Sequence, residues 1–193
     1  MGGELLPSGE VWLIRHAATE WSLDGRHTGR TDIPLTEDGR NSARELEPRL
    51  RGHDFALTLV SPLQRALQTA ELAGVGAGAV ASADLMEWDY GEYEGVTTKQ
   101  IREGRPDWWL WRDGCPGGES PDDVARRADR AIETVCEADG DVLVVSHGHF
   151  LRVLGARWIA LEPAAGARLG LRTAAVCVLG QERGLRNIKV WAG

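Results

Sequence analysis

The sequence predicts an α/β fold, a single three-layer α/β/α domain with a mostly parallel central sheet. Short apolar runs at 11–15, 57–60 and 142–146 are each followed by polar, glycine or proline residues, a pattern typical of buried parallel strands. Helical patterns separate these runs, and strands that alternate with helices are typical of a mostly parallel sheet. The 193 residues show neither a repeat nor an interdomain linker, which favours one domain over residues 1–193.

The first strand, at 11–15, is followed by a long polar segment and then by a helix. Residues 17–34 are too irregular for a regular element and long enough to suggest a functional segment. Thr36 then caps a helix that carries Ala43, Leu46 and Leu50 on one face.

The second strand, at 57–60, leads directly into another helix. Ser61 as the cap and Pro62 at the first helical position mark its start. Arg65 lies in its first turn, near the carboxyl end of the strand, where the helix dipole also favours anions. The Gly/Ala-rich stretch 73–81 is predicted as a loop that runs into a strand.

The second half contains an aromatic irregular segment and then regular elements again. Residues 84–118 are irregular and hold four of the eight tryptophans. Ser120 caps a long helix with one apolar face. Strand 142–146 is followed by a helix over about 149–159, and two late strands are predicted near 174–179 and 187–191.

Composition excludes several classes of protein. A formal net charge of −7 argues against general binding to nucleic acid or to an anionic membrane, because both favour basic surfaces. Cys115, Cys136 and Cys177 are scattered and odd in number, which predicts reduced thiols in a cytoplasmic protein. No apolar stretch is long enough to cross a membrane, and Met1-Gly2-Gly3-Glu4 does not begin a secretion signal. The oligomeric state stays open, a homodimer included.

Two histidines and two arginines are expected at one edge of the sheet. Arg15-His16 follows the first strand, His147 follows the strand at 142–146, and Arg65 follows the strand at 57–60. Ligands of open α/β sheets bind outside the carboxyl ends of the strands. A lone histidine at a strand end is more often a structural hydrogen-bonding group, but two at the same edge reverse that balance. Imidazoles that attack or donate, with guanidinium groups that match phosphate oxygens, are typical of phosphoryl transfer.

Several short motifs, in order along residues 11–160, resemble those of the histidine phosphatase superfamily, the phosphoglycerate-mutase-like clan. They are Arg15-His16, Glu20-Trp21-Ser22, His27-Thr28-Gly29, Leu35-Thr36-Glu37-Asp38-Gly39, Ser61-Pro62-Leu63-Gln64-Arg65-Ala66, Glu87 with Tyr90-Gly91 and Glu94-Gly95, and Ser146-His147-Gly148. The chain departs from the family at Ala17, where Gly is usual, and at Ser22, where mutases usually have Asn. A narrower resemblance, to a subgroup that contains bacterial acid phosphatases and a fungal sedoheptulose-bisphosphatase, is carried by the segment 87–95 together with Trp111-Arg112-Asp113-Gly114-Cys115 and Gly118-Glu119.

The resemblance implies a phosphatase that acts through a phospho-histidine. His16 would be the nucleophile, and Arg15, Arg65 and His147 would bind the oxygens of the transferring phosphoryl group. Glu87 would protonate the leaving group and then activate water. No metal or cofactor is expected, because the arginines supply the positive charge. Contacts to the substrate are implied for Ser22, Thr28, Gly29, Tyr90 and Gly148.

Some alternatives stay open from the residues alone. The acid could be any of several neighbouring carboxylates, namely Asp84, Asp89, Glu92 and Glu94. His147 and His149 could form a metal pair, although further ligands have no recognisable spacing. The tryptophans at 108–111 could form a substrate lid or could pack a long loop.

The expected substrate is a small phosphomonoester, with sugar phosphates or bisphosphates as the first candidates. The main rival is a phosphoglycerate mutase, which must retain a doubly phosphorylated intermediate with extra cationic residues. The segment after the acidic motif is short and Trp-rich, with dispersed basic residues at Lys99, Arg102, Arg105 and Arg112, which favours the phosphatase. A non-catalytic phosphate-binding module is the remaining alternative, but binding alone needs neither a nucleophile nor an acid.

Overall fold

This computed structural model describes residues 5–193, so the expectation about a secretion signal at residues 1–4 lies outside the described part. The strands are β1 Val11–Arg15, β2 Phe55–Val60, β3 Val80–Ala81, β4 Asp141–Ser146, β5 Val176–Glu182 and β6 Leu185–Val190. The helices are α1 Glu20–Asp24, α2 Glu37–Arg44, α3 Glu47–Leu50, α4 Gln64–Leu72, α5 Thr98–Gly104, α6 Leu110–Asp113, α7 Pro121–Cys136 and α8 Gly148–Trp158. No helix within residues 5–193 has both the length and the apolar character needed to span a bilayer.

The strands form a six-stranded sheet in the order β3-β2-β4-β1-β5-β6. The β3-β2, β2-β4 and β4-β1 pairs are parallel, while β5 pairs antiparallel with both β1 and β6. The prediction of a mostly parallel α/β sheet is confirmed. Arg15 is in register with Ser146, and Val60 with Val145, so β1, β4 and β2 end side by side at one edge.

Both faces of the sheet are covered by apolar helix surfaces, which gives the expected three layers. On one face, Val142 and Val144 belong to a core cluster with residues of α7 and α8. On the other face, Leu143 and Val145 belong to a cluster with residues of α2, α3 and α4. This alternation along β4 follows from the two-residue period of side chains in a strand. A capping box between Ser120 and Asp123 starts α7 as predicted.

Two details of the predicted helices are wrong. The helix capped by Thr36 ends at Arg44, and a separate short helix, α3, follows. Pro48 in the first turn of α3 explains the break, because proline lacks the N–H that a continuous helix would need. Its apolar face is nevertheless buried as expected, with Ala43, Leu46 and Leu50 all in the core.

Ser61 does not cap α4, which begins at Gln64 with Leu63 at the capping position. The Ser61 hydroxyl instead bonds His147, so the serine belongs to the polar cluster below the sheet edge. The segment 84–118 is also more regular than predicted, since it contains α5 and α6. The Thr97–Gln100 capping box that starts α5 is a sequence signal that the aromatic composition obscured.

Candidate active site

The polar cluster at the sheet edge begins with residues that directly follow β1, β2 and β4. The His16 amide donates to the Ser146 carbonyl at 2.8 Å, and the Ser61 amide donates to the Val145 carbonyl at 3.0 Å. These bonds extend the ladders of the sheet by one residue, so the backbone fixes where His16 and Ser61 lie. Since β4 lies between β1 and β2, His147 lies between the two.

His16 is buried and neutral, and one tautomer is selected. Its Nδ1 lies 2.7 Å from the Ala17 carbonyl oxygen, which can only accept, so Nδ1 carries the proton. Burial and the nearby charges of Arg65 and Arg15 lower the pKa of His16 well below its ordinary value. Nε2 is therefore left with an unprotonated lone pair, the form that a nucleophile requires.

Arg65 and His147 form a bonded pair beneath His16. The Arg65 Nε–H donates to His147 Nδ1 at 3.2 Å, and His147 Nε2 lies 2.7 Å from the Ser61 hydroxyl. The other Arg65 nitrogens donate to backbone carbonyls of the loop 28–31. The rings of His147 and His16 have centroids 5.1 Å apart. Burial and the charge of Arg65 lower the pKa of His147 well below its ordinary value, so both rings are neutral.

Arg15 is the cation with unused hydrogen-bonding capacity. One terminal nitrogen donates to the Leu171 carbonyl at 2.5 Å, and the Nε atom is buried without a hydrogen-bond partner among residues 5–193. A side chain on Gly148 would press on this guanidinium group, since its Cβ would lie 3.1 Å from Arg15 Cζ. A buried guanidinium N–H without a partner is costly unless a ligand accepts its bond. An anion beside His16 would satisfy it.

Glu87 is held by the first turn of α8. Its Oε1 accepts from the amides of Trp88 and Phe150, both at 2.9 Å, while Oε2 accepts from the His149 amide at 3.0 Å. His147 occupies the capping position of α8, but its side chain makes no bond to the amides of that helix, so the Glu87 carboxylate caps the helix in its place. Oε2 has one protein partner and retains capacity for a substrate oxygen or water.

An ion pair between Arg127 and Glu119 fixes the segment that carries Glu87. Arg127 makes a two-bonded contact with Glu119, at 2.7 and 2.8 Å, and both side chains are largely buried. The remaining Arg127 donors reach the backbone carbonyls of Asp84, Met86 and Glu87. We call these two residues the clamp. It connects α7 to the backbone on either side of the Glu87 carboxylate.

A cavity of about 400 Å³ opens above this cluster. Most of the predicted site residues line it: Arg15, His16, Ser22, Thr28, Glu87, Tyr90 and Gly148. Arg65, His147 and Gly29 are not among the lining residues, because Arg65 and His147 lie fully buried and Gly29 holds Arg65 through its carbonyl.

The predicted substrate contacts also carry structural bonds. The Ser22 hydroxyl completes the capping box of α1 by accepting from the Thr19 amide at 2.9 Å. The Tyr90 hydroxyl lies 2.6 Å from His149 Nδ1, and its ring packs on His27. Burial and the charge of Glu87 raise the pKa of Tyr90 well above its ordinary value, so the phenol is neutral.

The alternative carboxylates are used elsewhere. Asp84 pairs with Arg130, and Asp89 lies 3.4 Å from Arg30. Glu94 accepts from the amides of Gly29 and Thr31. Neither these three nor Glu92 lines the cavity, whereas Glu87 does. The structure therefore separates Glu87 from the carboxylates that the residues alone could not exclude.

The sequence did not point to the cavity residues Arg26 and Arg152, placed His27 only in a motif of the resemblance, and offered His149 only as a metal candidate. It indicated Arg102 only as a dispersed basic residue. Arg152 packs over the Trp111 ring at 4.6 Å and donates to the carbonyls of Gly166 and Ala167. Its position on the helix that begins directly after His147 was the available signal. The positions of Arg26 and Arg102 depend on how the loops fold, for which no local signal exists.

The tryptophans at 108–111 are divided between the core and the solvent-exposed rim of the cavity. Trp108 and Trp111 are buried in the core cluster, whereas Trp109 is 39% exposed. All three line the cavity. In the same region, burial raises the pKa of the Cys115 thiol to about 12, so this cysteine stays a protonated and unreactive thiol near neutral pH.

The arrangement does not form a recognisable metal centre. Among the described residues, no group of three or more His, Cys, Asp or Glu side chains is placed to hold an ion. His147 and His149, the candidate metal pair, direct ring nitrogens to Ser61 and Tyr90 respectively. Their imidazoles serve protein hydrogen bonds instead.

Comparison with known proteins agrees with this geometry. The sequence profile described as the histidine phosphatase superfamily (branch 1) matches residues 11–192. An acid phosphatase from Mycobacterium tuberculosis is 47% identical over 183 residues, which cover 92% of this chain and 89% of that protein. A sedoheptulose 1,7-bisphosphatase from Saccharomyces cerevisiae is 35% identical, over 77% of this chain and 67% of that protein.

The fold also matches solved structures. The structure of an open-reading-frame product from Mycobacterium tuberculosis superimposes with a TM-score of 0.88 and 43% identity, covering 95% of this chain and 97% of the other.

Proteins named as phosphoglycerate mutases match in sequence at 29% to 34% identity. The chain belongs to the histidine phosphatase superfamily and is a phosphoric monoester hydrolase.

Proposed function

We propose that this enzyme hydrolyses small phosphomonoesters in two steps, with His16 as the nucleophile. The observation that carries the proposal is the bond from His16 Nδ1–H to the Ala17 carbonyl, since it leaves Nε2 deprotonated at the cavity wall. Arg15 lies on the same wall with an unpartnered Nε–H, which supplies a site for a phosphoryl oxygen.

In the first step, the His16 Nε2 lone pair attacks phosphorus and the bond from phosphorus to the ester oxygen breaks. Glu87 donates a proton to the leaving alkoxide, which departs as an alcohol. In the second step, Glu87 takes a proton from water, the hydroxide attacks the phospho-histidine, and inorganic phosphate leaves while His16 is regenerated. Glu87 gives a proton in the first step and regains one from water in the second, so the two steps form a closed cycle.

The positive charge that stabilises the transferring group comes from arginines. Arg15 and Arg152 line the cavity, while Arg65 acts from beneath His16. Direct contact of Arg65 or His147 with phosphoryl oxygens requires exchange of their present bonds to Thr28, Gly29, Thr31 and Ser61. Substrate binding that draws the loop 28–31 away from Arg65 would free those donors.

Small sugar phosphates or bisphosphates are the proposed substrates. The cavity of about 400 Å³ suits a molecule of that size. The related sedoheptulose 1,7-bisphosphatase, named for a sugar bisphosphate, supports this class. A phosphatase with this site acts on a free small molecule, without nucleic acid or membrane.

Phosphoglycerate mutase is the second candidate, favoured by one observation: Arg26 and Arg102 lie at the cavity, although the sequence analysis treated the basic residues of this region as dispersed. We expect inorganic phosphate release without added 2,3-bisphosphoglycerate, and little interconversion of 3- and 2-phosphoglycerate in its presence. A coupled mutase assay beside a phosphate-release assay measures both. A mutase turnover at least tenfold above the best rate of phosphate release would favour the mutase.

The nucleophile is tested by trapping. Rapid quenching with radiolabelled substrate should place acid-labile phosphate on His16, and His16→Ala should lose the label and several orders of magnitude in turnover. His53→Ala, which removes an exposed histidine, is the matched control. Hydrolysis by folded His16→Ala at a rate near that of the wild type would sink the mechanism.

A further inference from the structure

The cavity carries more positive charge than one phosphoryl group needs. Four arginines line it, namely Arg15, Arg26, Arg102 and Arg152, against one carboxylate, Glu87. Arg15 and Arg152 belong to the end of the cavity near the strand termini, because Arg15 is the last residue of β1 and Arg152 lies on α8, which begins directly after His147. Arg152 packs over the Trp111 ring at 4.6 Å and lines the cavity together with Arg15 and Glu87.

Arg26 and Arg102 belong to the other side of the cavity, which α1 and α5 form. Arg26 directly follows the turn after α1 and is joined by a backbone bridge to Thr97, the cap of α5. Arg102 lies on α5 itself. Neither residue belongs to an element that ends at the sheet edge beside His16, since Arg26 follows α1 and Arg102 lies on α5. The two residues therefore form a separate cationic region away from the nucleophile.

The guanidinium groups of this region have donors to spare. Arg102 is anchored by its Nε–H, which donates to the Trp108 carbonyl at 3.0 Å, so its two terminal nitrogens extend from a fixed stem. Arg26 lies 3.3 Å from Asp24 in an exposed ion pair, and such a pair is weak enough to be exchanged for a substrate anion. A guanidinium group with free terminal nitrogens matches the two oxygens of a phosphate or a carboxylate.

We propose that Arg102, assisted by Arg26, forms a second anion-binding subsite, and that the preferred substrate carries an anionic group remote from the phosphate that is hydrolysed. This rests on the proposed function, because it takes the end at His16 as the site of phosphoryl transfer. The shared chemistry is a phosphate or carboxylate at the far end of a small molecule. A neutral terminus would leave these donors to water.

Matched substrates test the subsite. Fructose 1,6-bisphosphate against fructose 6-phosphate tests a second phosphate, and 3-phosphoglycerate against glycerol 3-phosphate tests a carboxylate. We expect kcat/KM to be higher for the more anionic member of at least one pair. Arg102→Gln should lower this preference about tenfold, because it removes one charge-assisted hydrogen bond. Arg26→Gln should lower it less, because its donors are shared with Asp24.

Arg105→Gln is the control, since it removes the same charge from a residue that donates to the Tyr93 hydroxyl and does not line the cavity. Equal preference in wild type and Arg102→Gln, or the same loss in Arg105→Gln, would overturn the subsite. Binding to the His16→Gln protein, measured by calorimetry with the same pairs, separates the two proposals. If the wild type hydrolyses none of these esters, the proposed function fails. The subsite is then still supported if the bisphosphate binds more tightly than the monophosphate and Arg102→Gln removes that difference. It is overturned if the two compounds bind equally tightly.

Discussion

The two sides of the cavity are built differently. One side, which we call the strand wall, consists of Arg15, His16 and Glu87, with Arg65 and His147 buried behind it. The other, which we call the loop wall, consists of Arg26, Arg102 and Trp109, all of them exposed. In the strand wall the histidine tautomers, the carboxylate and the Arg65 guanidinium are each fixed by hydrogen bonds. In the loop wall most donors remain available.

This difference separates the chemistry from the choice of substrate. Phosphoryl transfer needs groups placed within a few tenths of an ångström, and strand ends joined by ladder bonds provide that rigidity. Recognition of the rest of the substrate needs side chains that can adapt, and exposed residues on short helices provide them. We therefore expect changes in the strand wall to affect mainly kcat, and changes in the loop wall to affect mainly KM or substrate preference.

The largest expected effect in this comparison, apart from loss of His16, comes from Glu87. Glu87→Gln should lower the rate on alkyl phosphates by about 10²- to 10⁴-fold, because the alkoxide then leaves without a proton. Aryl phosphates should lose much less, since their leaving group is stable as an anion. Steady-state kinetics on a matched alkyl and aryl pair provides the measurement. Glu92→Gln removes the same charge from the same segment and should show no such difference. Equal losses on both substrates would contradict the acid role.

The strand wall could largely be predicted from the sequence, for a physical reason. A residue at the carboxyl end of a buried parallel strand must lie at the same edge of the sheet as the ends of the other parallel strands. Short apolar runs alone therefore predicted that Arg15, His16 and His147 lie at one edge. The first turn of α4 placed Arg65 in the same way, although Ser61 bonds His147 instead of capping that helix. The acid was different, because five carboxylates lie within 84–94 and only the family pattern selected Glu87.

The loop wall could not be predicted because its positions depend on tertiary contacts. Arg102 reaches the cavity only because α5 forms and its Nε–H finds the Trp108 carbonyl. The backbone bridge between Arg26 and Thr97 links segments about seventy residues apart, which no local pattern encodes. The clamp was missed for the same reason: the side chains of Arg127 and Glu119 appear in sequence as ordinary residues near the start of a helix.

Buried neutral histidines should make the enzyme sensitive to acid, and His27 tests this. Burial lowers the pKa of His27 from 6.5 to about 4. Between pH 6.5 and pH 4 the unfolded chain binds a proton on His27 that the folded chain excludes. The contribution of His27 to the free energy of unfolding is therefore intact above pH 6.5 and is lost as the pH falls toward 4. The shift corresponds to about 3 kcal/mol.

Between pH 7 and pH 4 the free energy of unfolding should fall for both proteins. We expect the fall to be about 3 kcal/mol smaller for His27→Gln than for the wild type. Urea unfolding at several pH values measures it, and replacement of the exposed His53 by Gln is the control. The remaining acid sensitivity should come from His16, His147 and His149, whose pKa values burial also lowers. Parallel stability curves for wild type and His27→Gln would show that His27 is not kept neutral by the fold.

The clamp extends the strand wall into α7, and we expect Arg127→Met to lower kcat about 10- to 100-fold by loosening the Glu87 backbone. Because Arg127 acts through Glu87, the loss should be larger on alkyl than on aryl phosphates, while KM changes little. Arg130→Met is the matched control, since Arg130 lies one turn along the same helix and pairs with Asp84 at the surface. A similar loss on both substrate types would indicate general destabilisation, which thermal unfolding would reveal independently.

Trp109 should show the smallest effect, and it defines where the loop wall meets solvent. Its neighbours Trp108 and Trp111 are buried in the core, so their removal would destabilise the fold, but Trp109 is 39% exposed at the cavity. An aromatic ring there can cover the apolar face of a bound sugar while adding little to the transition state. We expect Trp109→Ala to raise KM a few-fold, about 1 kcal/mol, with kcat nearly unchanged, and Trp109→Phe to restore most of the difference. A fall in kcat without a change in KM would show that this side of the cavity takes part in the chemistry and that the two walls are not functionally separate.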